Sequence, residues 1–376
     1  MDRLEGVVQA YDWGSPTAIA DLCGVAPSGE PQAELWFGAH PRGPARLVER
    51  GATTLDELIA DDPNRQIGPG RDELPFLAKL LAAAQPLSIQ THPDRAQAVA
   101  GFEREEREGV AIDAFDRSFR DRNPKPELIC ALTPFEALCG FRTPEEAADL
   151  IARWPVAALE PLVSALRTDA PAPDRLADAL EWLLTRSKAE AEALVADVID
   201  AEPSDLVLRL HRHHPGDIGV LVAPLLHHIT LQPGEALYLE AGNLHSYLGG
   251  LGVELMVNSD NVVRGGLTSK HIDCPTLLAL VDTTPGRPNV QQPAGPVHRY
   301  QGGQPDFVLM RIDHTDHTFE FDGPAIAIAT EGSVALEADR SEVSLTAGQA
   351  AWIPASTARV HVRAETGQLH LATTGV

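Results

Sequence analysis

The sequence predicts a mainly β fold with an α-helical insertion: two β barrels of one type plus a helical domain. Three observations carry this prediction. Short apolar strands alternate with turn residues in both the N-terminal and the C-terminal parts of the chain. The composition changes at Thr143, where a run of helical patterns begins. Finally, LQPGEALYLEAGNLH sits over LTAGQAAWIPASTAR without a gap when Gly234 is aligned with Gly348. Each copy has a glycine turn, an apolar strand, a small-residue break and a resumed strand. The implied division is 1–142 with 214–290 as the first barrel, 143–213 as the helical insertion, and 291–376 as the second β domain. At 376 residues, two or three domains are expected.

Taken in order, residues 1–90 carry candidate strands at Glu34 to Gly38 and Ala45 to Val48, and a short helix at Thr53 to Asp61. Trp13 and Trp36 lie among turn residues and read first as core. Leu87 to His92 reads as a strand that places Ser88, Gln90 and His92 on one face. Thr91 and Pro93 then mark a helix start, with the helix running to about Glu108. Asn123-Pro124-Lys125-Pro126 allows only an extended path, so Glu127 opens the apolar strand Leu128 to Leu132.

Helical patterns follow at Pro144 to Arg153, Val156 to Arg167, Asp174 to Thr185 and Lys188 to Asp200, with Leu206 to Arg212 as a last helix. Thr143 and Ser187 open capping boxes. Ala236 to Glu240 and Leu244 to Leu248 are strands on either side of Ala241-Gly242-Asn243. The glycine-rich segment 249–252 separates them from Val253 to Val257. The chain from Asp282 to Pro305 reads as a linker. Strands follow at Phe307 to Ile312, Thr318 to Phe321, Ala325 to Glu331, Ser333 to Glu337, Ala350 to Ile353 and Ala358 to Arg363.

The composition excludes some functions. The formal net charge of −24 argues against nucleic acid as a partner. No apolar run reaches membrane-spanning length, and MDRLEGVVQAYDWG has no signal-peptide core, so a cytoplasmic protein without a membrane partner is expected. Cys23, Cys130, Cys139 and Cys274 form no CxxC pair and read as reduced, buried thiols. The histidines His211, His213, His214, His227 and His228 match no metal motif and read as surface or loop residues.

The stretch Pro233 to Asp273 concentrates functional side chains. His245 and Tyr247 share a strand face, with Glu254, Asp260, Arg264 and Lys270 close behind. A histidine, carboxylates and two cations in one small β unit suit an anionic substrate. Gln90, His92, Glu127 and His245 together include two histidines and one carboxylate, a normal set for catalytic zinc with an open position.

The segments YDWGS, AELWFGAHP, PLSIQTHPD, NPKPEL, LEAGNLHSYLGG, VELMVNSDNVVRGGLT and SKHID resemble those of type I mannose-6-phosphate isomerases, in the right order over most of the first 285 residues. The resemblance implies cupin-like jelly-roll barrels and one Zn²⁺ per chain. It also implies interconversion of mannose 6-phosphate and fructose 6-phosphate; separately, a monomer is expected. Carried over by position, the zinc ligands fall on Gln90, His92, Glu127 and His245. The active-site arginine falls on Arg264. Lys125, Glu254, Asp260 and Lys270 are the candidate acid–base groups, and Ser88, Lys79, Tyr247 and Trp13 the substrate-binding set. Pro124 stands where many members have histidine. The alternatives are another metal-dependent cupin enzyme and a non-catalytic sugar-phosphate-binding protein.

Overall fold

The computed structural model describes residues 1–303, 307–338 and 341–374. Gln304 and Pro305, the end of the expected linker, lie outside these residues. Among the described residues the strands form one eleven-stranded and one nine-stranded sheet, and a helical segment is inserted within the first, between its paired strands Phe135–Phe141 and Leu226–Leu231. No helix there is long and apolar enough to cross a membrane.

The strand that organises the first sheet is His245–Val257. Its first half pairs with Ile89–Thr91 and with Phe135–Phe141. Its second half pairs with Phe76–Ala83 and with Glu127–Ala131. One strand thus serves two parts of the sheet. The sequence reading broke it at the glycines, but the chain runs through them. Gly250 adopts φ 123°, and a Cβ there would lie 2.7 Å from the Pro134 oxygen. Only glycine lets the strand bend so close to another backbone.

The internal echo is visible in the backbone. Gly234 and Gly348 take φ of 86° and 82°. The strands Ala236–Leu239 and Ala350–Ile353 follow, and the long strands begin at His245 and Arg359. Two departures mark the second sheet. Ala325–Ala338 is one continuous strand rather than two, and Ser341–Thr346, absent from the sequence reading, pairs with it. The expected linker also contains Val290–Gln291 and Val297–Tyr300, edge strands of the first and second sheets. The N-terminal strand Asp2–Glu5 pairs with Ala350–Ile353 and so belongs to the second sheet.

The helices follow their sequence signals. Thr143 and Ser187 close reciprocal capping boxes with Glu146 and Glu190. The helix Arg95–Glu108 is capped by Asp94 with Gln97, not by Thr91, which stays in its strand. The helical core (Leu162, Leu180, Val195, Leu210) is continuous with Ile89, Leu138, Leu248 and Val263 under the first sheet. A second core joins the sheets face to face, with Leu80, Leu128 and Val253 against Ile326, Ile328 and Trp352. All four cysteines are free, but only Cys130 and Cys139 are fully buried; Cys23 and Cys274 are half-buried.

A small polar network crosses between the sheets. The Cys130 thiol donates to the Tyr300 hydroxyl at 3.3 Å, and Tyr300 donates to the Gly234 carbonyl at 2.6 Å. His370 Nε2 lies 3.5 Å from Cys130 Sγ, and its Nδ1 lies 3.1 Å from Thr330 Oγ1. Burial, reinforced by the Arg311 charge, pushes the His370 pKa down to about 3. An unfolded histidine titrates near 6.5, at about its ordinary value. Below that pH the unfolded chain therefore takes up a proton that the folded chain refuses. The stabilising contribution present above about pH 6.5 is lost as the pH falls towards 3. Urea unfolding of wild type and His370→Gln should show a stability difference that shrinks between pH 7 and pH 5. A difference independent of pH would contradict the buried neutral state.

Candidate metal centre

The site is assembled by strand register. His245 stands opposite Gln90, and Gln90 stands opposite Arg264. Directly opposed residues point to the same face, so His245, Gln90 and Arg264 form one row across three strands. His92 follows the Ile89–Thr91 strand, and Glu127 opens its own strand. Ser88 shares the Gln90 face, as the alternation requires, and its hydroxyl donates to Gln90 Oε1 at 3.3 Å.

Three of these groups meet. Glu127 Oε1 lies 3.3 Å from His92 Nε2, and Glu127 Oε2 lies 3.4 Å from His245 Nε2. All three residues are buried. His92 Nδ1 donates to the Asn261 carbonyl at 2.7 Å, and His245 Nδ1 donates to the Asn243 carbonyl at 3.0 Å. A carbonyl can only accept, so each ring carries its proton on Nδ1 and presents a lone pair at Nε2. Burial, then the Lys125 charge, pushes the His92 pKa down to about 4, and the ring is neutral at pH 7. Burial works against the Glu127 charge. Lys125 and the two imidazoles outweigh it and hold the carboxyl well below the usual range.

The result is an electrostatic misfit for protein atoms alone. His92 Nε2, His245 Nε2 and Glu127 Oε2 are buried acceptors with no hydrogen-bond partner. Each such atom costs about 1–3 kcal/mol if nothing satisfies it. A cation would satisfy all three at once. Two imidazoles and a carboxylate, each imidazole oriented by a backbone carbonyl, fit a divalent metal of the zinc type.

Comparison with known proteins decides the family. Residues 1–144 match the family model "Phosphomannose isomerase type I, catalytic domain". The chain is 36% identical over 387 residues to mannose-6-phosphate isomerase of Escherichia coli, covering 96% of this chain and 97% of that one. It is 31% identical to the Homo sapiens enzyme, covering 88% and 87%. The chain belongs to the mannose-6-phosphate isomerase family. A crystal structure of a mutant phosphomannose isomerase from Salmonella typhimurium superposes over 100% of both chains with TM-score 0.92 and 33% identity. A zinc-bound mannose 6-phosphate isomerase superposes with TM-score 0.90 and 33% identity over 100% of this chain and 99% of that one.

Around the triad, the family's other positions fall into place unequally. Lys125 Nζ lies 2.8 Å from Glu127 Oε1. Lys79 is buried between Glu254 at 2.7 Å and Glu34 at 3.3 Å. Burial disfavours the Lys79 ammonium, but Glu254, Glu34 and Glu127 outweigh it and raise its pKa. Burial, against the opposing pull of Lys79, raises the Glu254 pKa. Tyr247 is buried in line with His245, their rings 6.1 Å apart. Trp13 is half-buried and packs against the cluster that contains Tyr247. Asp260 does not pair with Arg264. Arg42 holds it at 3.1 Å, and His40 lies 3.6 Å away. Arg264 is on the strand Val263–Gly266.

The sequence reading missed Asn261, although SDN lies inside a quoted segment. Its side chain accepts from the backbone N–H of Arg120 and Asp121, and donates to the carbonyls of Asp121 and Asn123. Its own carbonyl orients His92. One fully buried residue therefore ties a metal-facing ring to the loop that leads into Lys125 and Glu127. Of the five histidines expected at the surface or in loops, His228 pairs with Glu136 at 2.9 Å, His211 and His213 lie on the helix Asp205–His213, and His227 is instead buried on the strand Leu226–Leu231.

After dialysis, the wild-type chain should retain one divalent cation. His245→Ala should lose it. Asn261→Ala keeps the carbonyl that accepts from His92 but removes the side-chain bonds that position it, and should weaken metal affinity by less than the roughly 10–100-fold typical of losing a ligand's supporting partner outright. A full metal equivalent in His245→Ala, measured by atomic emission, would remove the triad from metal binding.

Proposed function

We propose that the chain interconverts D-mannose 6-phosphate and D-fructose 6-phosphate with one zinc ion held by Gln90, His92, Glu127 and His245. The observation that carries this reading is the trio of buried, unsatisfied acceptors in a member of this family. Bound there, zinc supplies a Lewis acid that polarises a substrate oxygen and fixes its orientation. Gln90 is the neutral member of the set, placed beside His245 by register.

The chain's own residues then divide the work. Isomerisation moves one proton between C1 and C2 through an enediol, and a group with a pKa near neutrality moves it best. Of the four acid–base candidates, Lys125 is the one in direct contact with a ligand side chain. Glu254 is engaged by Lys79, Asp260 by Arg42, and Lys270 is exposed. Arg264 sits in the same row as Gln90 and His245. There its guanidinium meets the charge that develops on the enediolate. Ser88, Tyr247 and Trp13 line the sugar side. Pro124 holds no proton, so no relay passes through the position that follows Asn123.

The same reading covers the architecture. The strands around His245–Val257 form a cupin-like jelly roll from 1–142 and 214–290, except for Asp2–Glu5 and Arg46–Leu47, which join the second sheet, with 143–213 inserted and 291–376 as a second β domain of the same type. The internal echo supports it, as do the helical caps at Thr143 and Ser187. The protein is a cytoplasmic monomer in this reading.

A coupled assay with mannose 6-phosphate should show turnover that chelation abolishes and zinc restores. Arg264→Ala should lower kcat about 10²–10³-fold, with zinc content intact. A kcat within about threefold of wild type would remove Arg264 from the chemical step.

A further inference from the structure

The cations around this site are of two kinds. Lys79 and Lys125 are buried and already neutralised, the first by Glu34 and Glu254 and the second by Glu127. Arg264, Lys270 and Arg120 are not. Among the described residues none of the three makes an ion pair or a side-chain hydrogen bond. In a chain of net charge −24, three cations without a carboxylate partner around one site need a reason.

Their placement is fixed by the backbone. Arg264 stands opposite Gln90, in the row that carries His245. Lys270 lies on the loop after that strand. Asp217 holds this loop by accepting from the N–H groups of Leu267 and Thr268, and Thr268 Oγ1 accepts from the Lys270 N–H. Arg120 is brought in from a distant part of the chain, because Asn261 Oδ1 accepts its N–H at 2.7 Å. The three share one electrostatic environment. Arg264 is pushed below its ordinary pKa by burial and then by Arg120. Lys270 is pushed down by desolvation, then by Arg264 and Arg120. Cations that the backbone brings to one edge of the site, with no carboxylate among them, suit a phosphate oxygen as partner.

We propose that Arg120 is a substrate-binding residue that, with Lys270 and at the outer side of Arg264, holds the phosphate dianion of the sugar. Lys79 is excluded from that task by its own two carboxylates. The assignment rests on the isomerase reading for the identity of the substrate. It separates two functions within the cluster: Arg264 faces the reacting carbons, and Arg120 holds the far end.

The test uses the zinc-loaded full chain and the variants Arg120→Gln, Arg120→Lys and Lys270→Gln. Steady-state kinetics with mannose 6-phosphate are read beside calorimetric titration with inorganic phosphate. Arg120→Gln should raise KM about 10–100-fold, the range for losing one charge-assisted contact. Its kcat should stay within about threefold of wild type, because the contact exists before and during the chemical step. Phosphate affinity should fall in parallel, and Arg120→Lys should recover part of it. KM and phosphate affinity within about twofold of wild type in Arg120→Gln would overturn the proposal. If Arg120→Gln does not fold, Lys270→Gln at its exposed position should show the same rise in KM, and an unchanged KM there overturns the cradle. If wild type does not turn over mannose 6-phosphate, the isomerase reading fails. The phosphate titrations of wild type and Arg120→Gln still decide whether Arg120 binds the anion.

Discussion

Three acceptor atoms face one another in a space closed to water, and the rest of the first sheet serves to keep them there. His92 Nε2, His245 Nε2 and Glu127 Oε2 repel as lone pairs and have no proton between them. The fold tolerates this because each ring is pinned from behind by a backbone carbonyl, and Glu127 by Lys125. The bend at Gly250 lets the strand that starts at His245 also pair with the strand that starts at Glu127. Sheet geometry and metal chemistry are thus the same constraint, since register alone sets His245 beside Gln90 and Gln90 beside Arg264.

A second layer of organisation is the sorting of charge. Inside the sheet, every lysine near the site has its own carboxylate, which keeps buried ammonium groups charged and fixed. At the edge of the site the cations are left unpaired, in a chain that is otherwise strongly acidic. The acidic background and the local cationic cluster together focus an anion onto one place. Asn261 joins the two layers, because it holds both the ring of His92 and the backbone of Arg120.

The sequence made some of this readable and hid the rest for physical reasons. Capping boxes at Thr143 and Ser187 are local, so the helices were legible. So was the echo, since a left-handed glycine before an apolar strand repeats at Gly234 and Gly348. The cluster of His92, Glu127 and His245 was legible only through long, ordered motifs, because no spacing rule brings Glu127 to His245 across the sheet. Glycines at 249–252 read as a break because they favour turns, whereas pairing on both sides of the strand carried the chain through them. The partners of Lys79 and Asp260 were invisible: Glu34 lies inside the AELWFGAHP segment and Arg42 directly after it, but nothing in that segment says which distant side chain either one meets. Asn261 and Arg120 were missed because their partners lie about 140 residues away in sequence, and no local spacing shows that Asn261 gathers the 120–123 backbone.

The most direct test of the metal site is anomalous diffraction at the zinc edge from zinc-loaded crystals. The account predicts one strong peak about 2.0–2.2 Å from His92 Nε2, His245 Nε2 and a Glu127 oxygen, with Gln90 Oε1 turned towards it. A peak elsewhere, such as among His211, His213 and His228, with the triad left empty, would contradict it.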